Sequence, residues 1–345
     1  MNKMVDIIEE DAERICRGVD FSDLKGKSVL ITGASGLLGI HLIASLRHLS
    51  KKGNGPARVI AIVRSNPLPY QTAFFKDSPI ELHQGDLTDS QFCAALPKVD
   101  YIIHSAGYGQ PVRFMQNPIE TIQINTSATL SLFERLLPGG KFLFVSTAEV
   151  YSGLGSLFHR ETEIGTTNTT HPRACYIEAK RCGEAICNSY RSLGVDAKSA
   201  RLALAYGPGT KPGDKRVLNS FIEKGLNGKI NLLDQGLAKR TYCYVTDAVD
   251  IIWNILLFGT QPIYNVGGDS RTTIRELAEH IGKILNVPII FPAESDQLEG
   301  APADVQLDMS LVKAAFGKTD FISFEEGLSR TIDWQSALYQ TLAAV

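Results

Sequence analysis

The chain has 345 residues, of which 44% are hydrophobic and 21% are charged, and its formal net charge is −2. This composition is ordinary for a globular protein, and the length suits one large α/β domain or two linked lobes. A net charge so close to zero supplies no basic field, which argues against nucleic acid or an anionic membrane surface as a partner.

Other simple features narrow the class further. The six cysteines form no CxxC pair and no zinc-ligand spacing, and the first residues lack the apolar core of a secretion signal. We therefore expect free thiols, no metal site and a cytoplasmic location. No apolar run approaches the ~18–20 residues that a membrane span needs, so we expect no membrane partner.

Residues 1–25 predict an N-terminal helical extension. Val5, Ile8, Ala12 and Ile15 recur at helical spacing and give the segment one apolar face. That face must cover either the body of the same chain, which we favour, or a second subunit.

After residue 25, strand and helix patterns alternate. Short apolar runs predict strands at residues 28–32, 58–63, 80–86, 100–106, 141–147 and 196–203, and longer periodic segments predict helices at 36–49, 118–137 and 174–193. Such alternation indicates βαβ units, a parallel sheet and right-handed crossovers.

The character of the sequence changes after about residue 206, where Gly, Pro and Asp cluster in "YGPGTKPGDKR". We assign residues 26–205 to the main domain, to which 242–266 return. We assign 206–241 and 267–335 to a smaller C-terminal lobe. A ligand cleft is expected between them, at the carboxyl ends of the strands.

The stretch "ITGASGLLG" follows the first predicted strand and opens the first helix. Gly33 permits a tight turn, Gly36 lets a pyrophosphate approach the helix N-terminus, and Gly39 lets the helix pack close to the sheet. A glycine triplet alone is weak evidence, but here a strand precedes it and a helix follows. The main domain is therefore predicted to bind a dinucleotide.

The residues after the second and third strands leave the choice between NAD and NADP open. Arg64 follows the second strand, where an arginine can bind the 2′-phosphate of NADP or simply be a solvated charge that stacks on adenine. Asp86 follows the third strand and could bind the adenine amino group or cap its own loop.

A catalytic group is predicted from "YIEAK", which places Tyr176 and Lys180 on one face of a helix. A lysine ammonium beside the phenol would lower its pKa and make a tyrosinate base usable near neutral pH. Thr147, at the end of the fifth strand, would bind the substrate oxygen that Tyr176 deprotonates. Asn125 could support this network or serve as a structural cap, and YxxxK alone would be a surface helix pair.

These motifs occur in a familiar order. "TGASGLLG", "HSAG", "STAEVY", "YIEAK" and "YGPG" resemble the extended short-chain dehydrogenase/reductase family, the NAD-dependent epimerases and dehydratases of nucleotide sugars, over residues 25–335. The resemblance implies a Rossmann-type doubly wound sheet, a nucleotide-sugar lobe and a homodimer. To the predicted cofactor site we also assign Leu37, Leu87, Ser105 and Ala106, together with the catalytic pair Tyr176 and Lys180.

The second half resembles UDP-glucuronate decarboxylases, through a GP turn, an Asp-x-Arg-Val segment and a Gly-x-x-x-Arg-x-Tyr-x-Tyr-Val segment. The matching positions are Asp214, Arg216, Val217, Asn219, Arg240 and Tyr242. Arg216 and Arg240 are suited to a diphosphate or a sugar carboxylate, because guanidinium groups bind such anions with two hydrogen bonds. Ordinary surface ion pairs are the alternative for both.

The stretch "FVSTAEVYSG" departs from the family's patterns. The 4,6-dehydratases usually carry Thr-Asp-Glu and the decarboxylases Thr-Ser-Glu or Ser-Ser-Glu, whereas this chain has Thr147, Ala148 and Glu149. Ala148 can donate no proton, which counts against a standard dehydratase. Glu149 fits the decarboxylase pattern as a proton-transfer group, or it is a buried structural carboxylate.

We therefore expect a redox-neutral decarboxylase of a UDP-linked uronic acid, working through a 4-keto intermediate with NAD or NADP retained. An epimerase, an atypical dehydratase or a 4-ketoreductase on the same scaffold are the nearest alternatives. A non-catalytic dinucleotide-binding protein is a remote one, because such a protein would be expected to lose Tyr176 or Lys180.

Overall fold

The computed structural model describes residues 3–292 and 306–343. Its strands are β1 Ser28–Thr32, β2 Arg58–Val63, β3 Ile80–Gln84, β4 Val99–His104, β5 Leu136–Thr147, β6 Phe158–His159, β7 Asp196–Leu202, β8 Leu204–Tyr206, β9 Ile230–Asn231, β10 Lys239–Arg240, β11 Tyr242–Tyr244, β12 Ile263–Val266, β13 Thr272–Thr273, β14 Ile289–Ile290 and β15 Gln306–Leu307.

The α-helices are α1 Lys3–Gly18, α2 Leu37–Lys51, α3 Pro69–Phe75, α4 Ser90–Ala95, α5 Pro111–Gln116, α6 Pro118–Asn125, α7 Ser127–Phe133, α8 Ala174–Ser192, α9 Val217–Leu226, α10 Val245–Phe258, α11 Ile274–Leu285, α12 Ser310–Phe316 and α13 Phe324–Ala343. Two short 3-10 helices cover Ser22–Leu24 and Ala148–Tyr151. No described helix is long and apolar enough to cross a membrane.

Seven parallel strands form the central sheet, in the order β12-β7-β5-β4-β1-β2-β3. The chain runs outward from β1 to β3 and then returns to β4 on the other side of β1. The sheet is therefore doubly wound, as predicted, and the reversal leaves a crevice at the carboxyl ends of β1 and β4.

Burial on both faces explains why these strands are continuously apolar. On β1, Val29 and Ile31 belong to one cluster of buried hydrophobic residues, whereas Leu30 belongs to a second cluster on the opposite face. On β2, Val59 and Ile60 divide in the same way. Helices cover each face, which is the arrangement that an all-parallel sheet requires.

The N-terminal helix covers its own chain, as we favoured from its apolar face. Helix α1 packs against α2, α10 and α13, and Ile8, Ala12 and Ile15 are buried. A buried polar cluster fixes it, because Asp11 accepts hydrogen bonds from the Arg330 guanidinium at 2.9 Å and from the Tyr244 hydroxyl at 3.0 Å.

The predicted helix over residues 118–137 is wrong. The structure has α6 and α7 there, separated at Thr126, and Leu136 already belongs to β5. Thr126 has φ −119° and ψ −81°, and its hydroxyl donates to the Ile122 carbonyl at 2.8 Å. A threonine hydroxyl that bonds the preceding turn offers the backbone an alternative hydrogen bond and weakens the helix locally. The third and fourth strands also end two residues earlier than predicted, at Gln84 and His104.

The later part of the chain contributes to the sheet and to a set of small strand pairs. Strand β12 pairs with β7 inside the central sheet, while β10 pairs with β13 and β9 with β14 outside it. Residues 293–305 of the predicted lobe lie outside the described residues, and the division into domains stays a prediction.

Candidate active site

The carboxyl ends of β1, β4 and β5 bring the predicted cofactor and catalytic segments together. The glycine loop follows β1, Ser105 and Ala106 follow β4, and Thr147 ends β5. Helix α8, which carries Tyr176 and Lys180, packs against β5 and β7. This convergence follows directly from the parallel order of the strands.

The glycine loop has the close backbone contacts that dinucleotide-binding loops need. Gly33 has φ +68°, and a Cβ there would lie 2.9 Å from the Ala106 Cα. A Cβ on Gly39 would lie 2.1 Å from the Gly33 carbonyl oxygen. Gly36 precedes α2 with no side-chain cap, and Leu37 is the first residue of that helix. The helix N-terminus can therefore offer backbone N–H groups to a phosphate.

The residues predicted at the adenosine end are engaged within the chain. The Arg64 guanidinium donates to the Tyr108 hydroxyl and lies 4.8 Å from the centre of that ring. Asp86 Oδ1 accepts hydrogen bonds from the backbone N–H of Thr88 at 2.9 Å and from its hydroxyl at 2.8 Å, so it does cap its loop. Leu87 is buried in the core beneath. Their roles toward a cofactor stay predictions.

Tyr176 and Lys180 are both buried on α8. Tyr176 stacks on Phe114 with ring centres 4.5 Å apart and planes 4° from parallel. The Lys180 ammonium donates to the Val145 carbonyl at 2.7 Å and lies 5.9 Å from the centre of the Tyr176 ring. Burial lowers the pKa of Lys180 to about 7, and the Glu184 charge opposes this.

The pKa of Tyr176 is raised to about 12, chiefly by burial and also by the charge of Glu149. The hydroxyl of Thr147 and the charges of Arg173 and Arg216 oppose this rise in the tyrosine pKa. We expected the lysine to be the cation that acts on the phenol, whereas two arginines are among its principal neighbours. The pKa of the tyrosine base therefore depends on more charges than the lysine of the YxxxK motif.

Arg173, just before α8, is a site residue that the sequence motifs did not indicate. Its guanidinium forms an ion pair with Glu149 and lies 5.6 Å from the centre of the Phe114 ring, the same ring that stacks on Tyr176. Its buried Nε atom has no hydrogen-bond partner. Burial raises the pKa of Glu149, and the Arg173 charge opposes this. The signal available in the sequence was an arginine three residues before Tyr176.

A buried ion pair stabilises the contact between the strand and the helix that carry this site. Glu184, one turn after Lys180 on α8, accepts hydrogen bonds from the Ser146 hydroxyl at 2.6 Å and from the Arg201 guanidinium at 2.8 Å. The Glu184 and Arg201 side chains are only 4% and 3% exposed. Ser146 precedes Thr147, so the pair fixes the end of β5 against α8.

Asn125 is buried, but its side chain does not join the catalytic group. Its Nδ2 donates to the Thr121 carbonyl at 2.7 Å in its own helix, and its Oδ1 has no partner. The structural alternative for this residue therefore fits the geometry better than the predicted network.

The residues predicted to bind the substrate lie in different environments. Arg216 forms a bidentate ion pair with the buried Asp214, with Nε 3.1 Å from Oδ1 and Nη2 2.7 Å from Oδ2, and its charge reaches Tyr176. Val217 is exposed, whereas Asn219 is buried and accepts a hydrogen bond from Gln335 at 2.8 Å. The structure thus places Asp214 and Arg216 beside the catalytic group and directs Asn219 toward α13.

The other predicted anion-binding residue lies on a separate strand pair. Arg240, on β10, donates to the Lys239 carbonyl at 2.6 Å. Tyr242 is buried, and its ring centre lies 5.7 Å from that of Phe324. Tyr242 is therefore part of the core, and the role of Arg240 toward a substrate stays a prediction.

Comparisons with known proteins agree with this geometry. The family model described as the NAD dependent epimerase/dehydratase family matches residues 29–267. UDP-glucuronic acid decarboxylase 3 of Arabidopsis thaliana is 30% identical over 314 residues, which cover 87% of this chain and 86% of the relative.

Two solved structures share the fold. An epimerase from Methanothermobacter thermautotrophicus has a TM-score of 0.81 at 20% identity and covers 98% of both chains. The dTDP-glucose 4,6-dehydratase DesIV of Streptomyces venezuelae, with NAD and TYD bound, has a TM-score of 0.77 at 24% identity and covers 90% of this chain and 97% of its own. Because the family model matches more than half of its residues, the chain belongs to the NAD dependent epimerase/dehydratase family.

Proposed function

We propose that this protein is a redox-neutral decarboxylase of a UDP-linked uronic acid, most simply UDP-glucuronate. The observation that carries the proposal is the grouping of Thr147, Tyr176 and Lys180 beside the Glu149–Arg173 ion pair, with alanine at position 148. The decarboxylase named above, which matches most of this chain, supports the same reaction.

The cofactor in this proposal is NAD, held along the glycine loop by Gly33, Gly36 and Leu37 and beside Ser105 and Ala106. The neighbouring dehydratase with NAD bound supports NAD over NADP. When bound, the dinucleotide would supply reversible hydride chemistry at C4 of the sugar. The lack of a side-chain cap on α2 and the close packing around Gly33 and Gly39 fit such a ligand.

The protein's own groups then move protons and hold charges. Tyr176 takes the proton of the sugar 4-hydroxyl as C4 is oxidised, and Thr147 orients that oxygen. Lys180 and the arginines stabilise the tyrosinate, whose pKa is otherwise raised by burial. In the resulting β-keto acid the C5–carboxylate bond breaks and its electron pair passes to the ketone oxygen, which forms an enolate.

Arg173 is suited to bind the sugar carboxylate, and Glu149 is suited to supply the proton that replaces it. The sugar carboxylate would compete with Glu149 for the Arg173 guanidinium, with Arg240 as a second cation. Glu149, whose pKa burial already raises, would then hold a proton and give it to C5. Its side chain is 31% exposed, so it can recover one proton from water in each cycle. The net reaction consumes one proton and releases one CO2.

The test is mass spectrometry of the purified protein with UDP-glucuronate and no added cofactor. We expect a nucleotide sugar lighter by one CO2, and NAD released when the protein is denatured. Tyr176→Phe is the control and should leave the substrate unchanged. An unchanged mass with an inverted sugar centre in the NMR spectrum would establish an epimerase instead, and loss of water would establish a dehydratase.

We also propose a homodimer, as the family resemblance implies. Helix α6 exposes Ile119 and Ile122, which are 62% and 40% accessible and which a second copy would cover. Light scattering after size exclusion should give twice the 37.7 kDa of one chain.

A further inference from the structure

One segment of the chain crosses from the predicted substrate side to the glycine loop. We call residues 207–213, between β8 and Asp214, the crossover loop. The Pro208 carbonyl accepts a hydrogen bond from His41 Nε2 at 2.9 Å, and the Gly209 carbonyl accepts one from the Tyr70 hydroxyl at 3.3 Å. Both donors belong to helices of the dinucleotide-binding half, α2 and α3, so the loop is docked there.

Lys211 extends from this docked loop to the glycine loop itself. Its ammonium donates to the Ser35 hydroxyl at 3.3 Å, and Ser35 lies between Gly33 and Gly36. Lys211 is half-buried, although a neutral hydroxyl is a poor partner for a charge removed from water.

Two further cations lie near Lys211. Burial lowers the pKa of Lys211, and the charges of Arg113 and Arg64 lower it further. Among the described residues, no carboxylate forms an ion pair with any of these three side chains. The charges of three side chains, from α5, the end of β2 and the crossover loop, therefore act on one another without a carboxylate paired to any of them. Such an arrangement is stable only if an anion is bound there or if water screens it.

We propose that Lys211 binds the pyrophosphate of the dinucleotide, so that the crossover loop helps to hold the cofactor at the glycine loop. The position of Ser35 decides between the phosphates available, because the pyrophosphate of a dinucleotide lies at the glycine loop and the helix N-terminus that follows it. The 2′-phosphate of NADP would lie at the end of β2, beside Arg64, and the diphosphate of a nucleotide sugar beside Arg216.

This role rests on dinucleotide binding alone and not on the proposed decarboxylation. It also links the cofactor to the substrate side, since Asp214 and Arg216 follow Lys211 by three and five residues. Retention of the cofactor through a redox-neutral cycle would then depend on a residue outside the glycine motif.

The test compares Lys211→Met with Lys215→Met, a matched change at an exposed lysine of the same segment. After removal of bound nucleotide, calorimetry gives the dissociation constants for NAD, NADP and UDP in each variant. We expect Lys211→Met to weaken NAD and NADP binding equally, by about ten- to a hundred-fold, as for one lost charge-assisted hydrogen bond. UDP binding in that variant and all binding by Lys215→Met should be unchanged.

The other outcomes overturn the proposal. Unchanged NAD affinity would make Lys211 irrelevant to the cofactor, loss confined to NADP would assign it to the 2′-phosphate, and loss confined to UDP would assign it to the nucleotide sugar. A structural role would lower the thermal midpoint of the nucleotide-free protein, whereas removal of an uncompensated cation should not. Lys211→Arg, which keeps the charge, should retain most of the NAD affinity and serves as the second variant.

Discussion

Replacing Arg201 by methionine tests how much burial adds to the contribution of an ion pair to stability. An exposed pair with similar hydrogen bonds serves as the comparison. Arg201 donates to both oxygens of Glu184, at 2.8 to 3.2 Å, and also to the backbone carbonyls of Glu161 and Glu163. The Arg201 and Glu184 side chains are 3% and 4% exposed. In Arg201→Met, Glu184 keeps the Ser146 hydroxyl as a donor but loses its counter-charge in a region that water hardly reaches.

The expected cost follows from that burial. Removing one partner of a buried ion pair costs about 3–5 kcal/mol, because the remaining charge is left without compensation. Arg58 provides the matched control, since it is paired with Glu81 by two hydrogen bonds of 2.7 Å while both side chains remain more than 40% exposed. Arg58→Met should cost no more than about 1 kcal/mol.

The measurement is urea denaturation of both variants and the wild type, at one pH and one fixed concentration of NAD. The double variant Glu184→Gln/Arg201→Met should recover part of the loss, since it removes the stranded charge. A cost below about 1 kcal/mol for Arg201→Met, equal to that of Arg58→Met, would refute the reasoning. It would mean that Glu184 is already neutral or hydrated in the folded protein.

Three further predictions concern the site and the N-terminal helix. Tyr176→Phe should abolish turnover while NAD binding, measured by calorimetry, stays within about threefold, since only the hydroxyl is lost; strongly weakened binding would instead mean that the hydroxyl itself is needed to hold the cofactor. Arg173→Gln should move the acidic limb of the kcat/KM pH profile to higher pH, because the Arg173 charge lowers the pKa of Tyr176, the base; Arg181→Gln, which removes an arginine paired with Glu178 on the same helix, should not, and equal shifts would reject the assignment. Burial raises the pKa of Asp11 from 3.8 to about 6, so the folded state binds a proton that the unfolded state releases, and stability should fall as pH rises through that window. The difference in unfolding free energy between the wild type and Asp11→Asn should therefore change between pH 4 and pH 6, and a constant difference would contradict the shift.

Much of the fold could be predicted because each element depends on local pattern. The strand at 28–32 and the helix after "ITGASG" follow from an apolar run and from glycines at fixed spacing, and the parallel order then places Thr147 beside α8 without further information. The break at Thr126 could not be read in the same way, because it depends on whether a hydroxyl bonds the preceding turn or water. The strand at Leu136, which pairs with Val99, depends on a distant partner.

The residues of the candidate site also divide into those that local sequence predicts and those that it does not. A single sequence is enough to recognise the motifs that contain Tyr176, Lys180 and Thr147. Arg173 and Lys211 act through partners that are distant in sequence or outside any motif, Glu149 and Phe114 in one case and Ser35 in the other. Charge compensation is a property of the folded chain, so an arginine or lysine without a carboxylate partner becomes evident only when its neighbours are known.

The alanine at position 148 bears directly on which bond the enzyme breaks. Once the sugar C4 is a ketone, hydroxide can leave only if an acid protonates it, and the side chain at 148 cannot do so. Carbon dioxide leaves without being protonated, and what the reaction then needs is a cation for the carboxylate and a proton for C5. Arg173 and Glu149 are a cation and a partly exposed acid held together beside Tyr176. A 4-epimerase would need neither, because it only removes the hydride from C4 and returns it to the other face. The pair therefore supports the proposed decarboxylation over both alternatives.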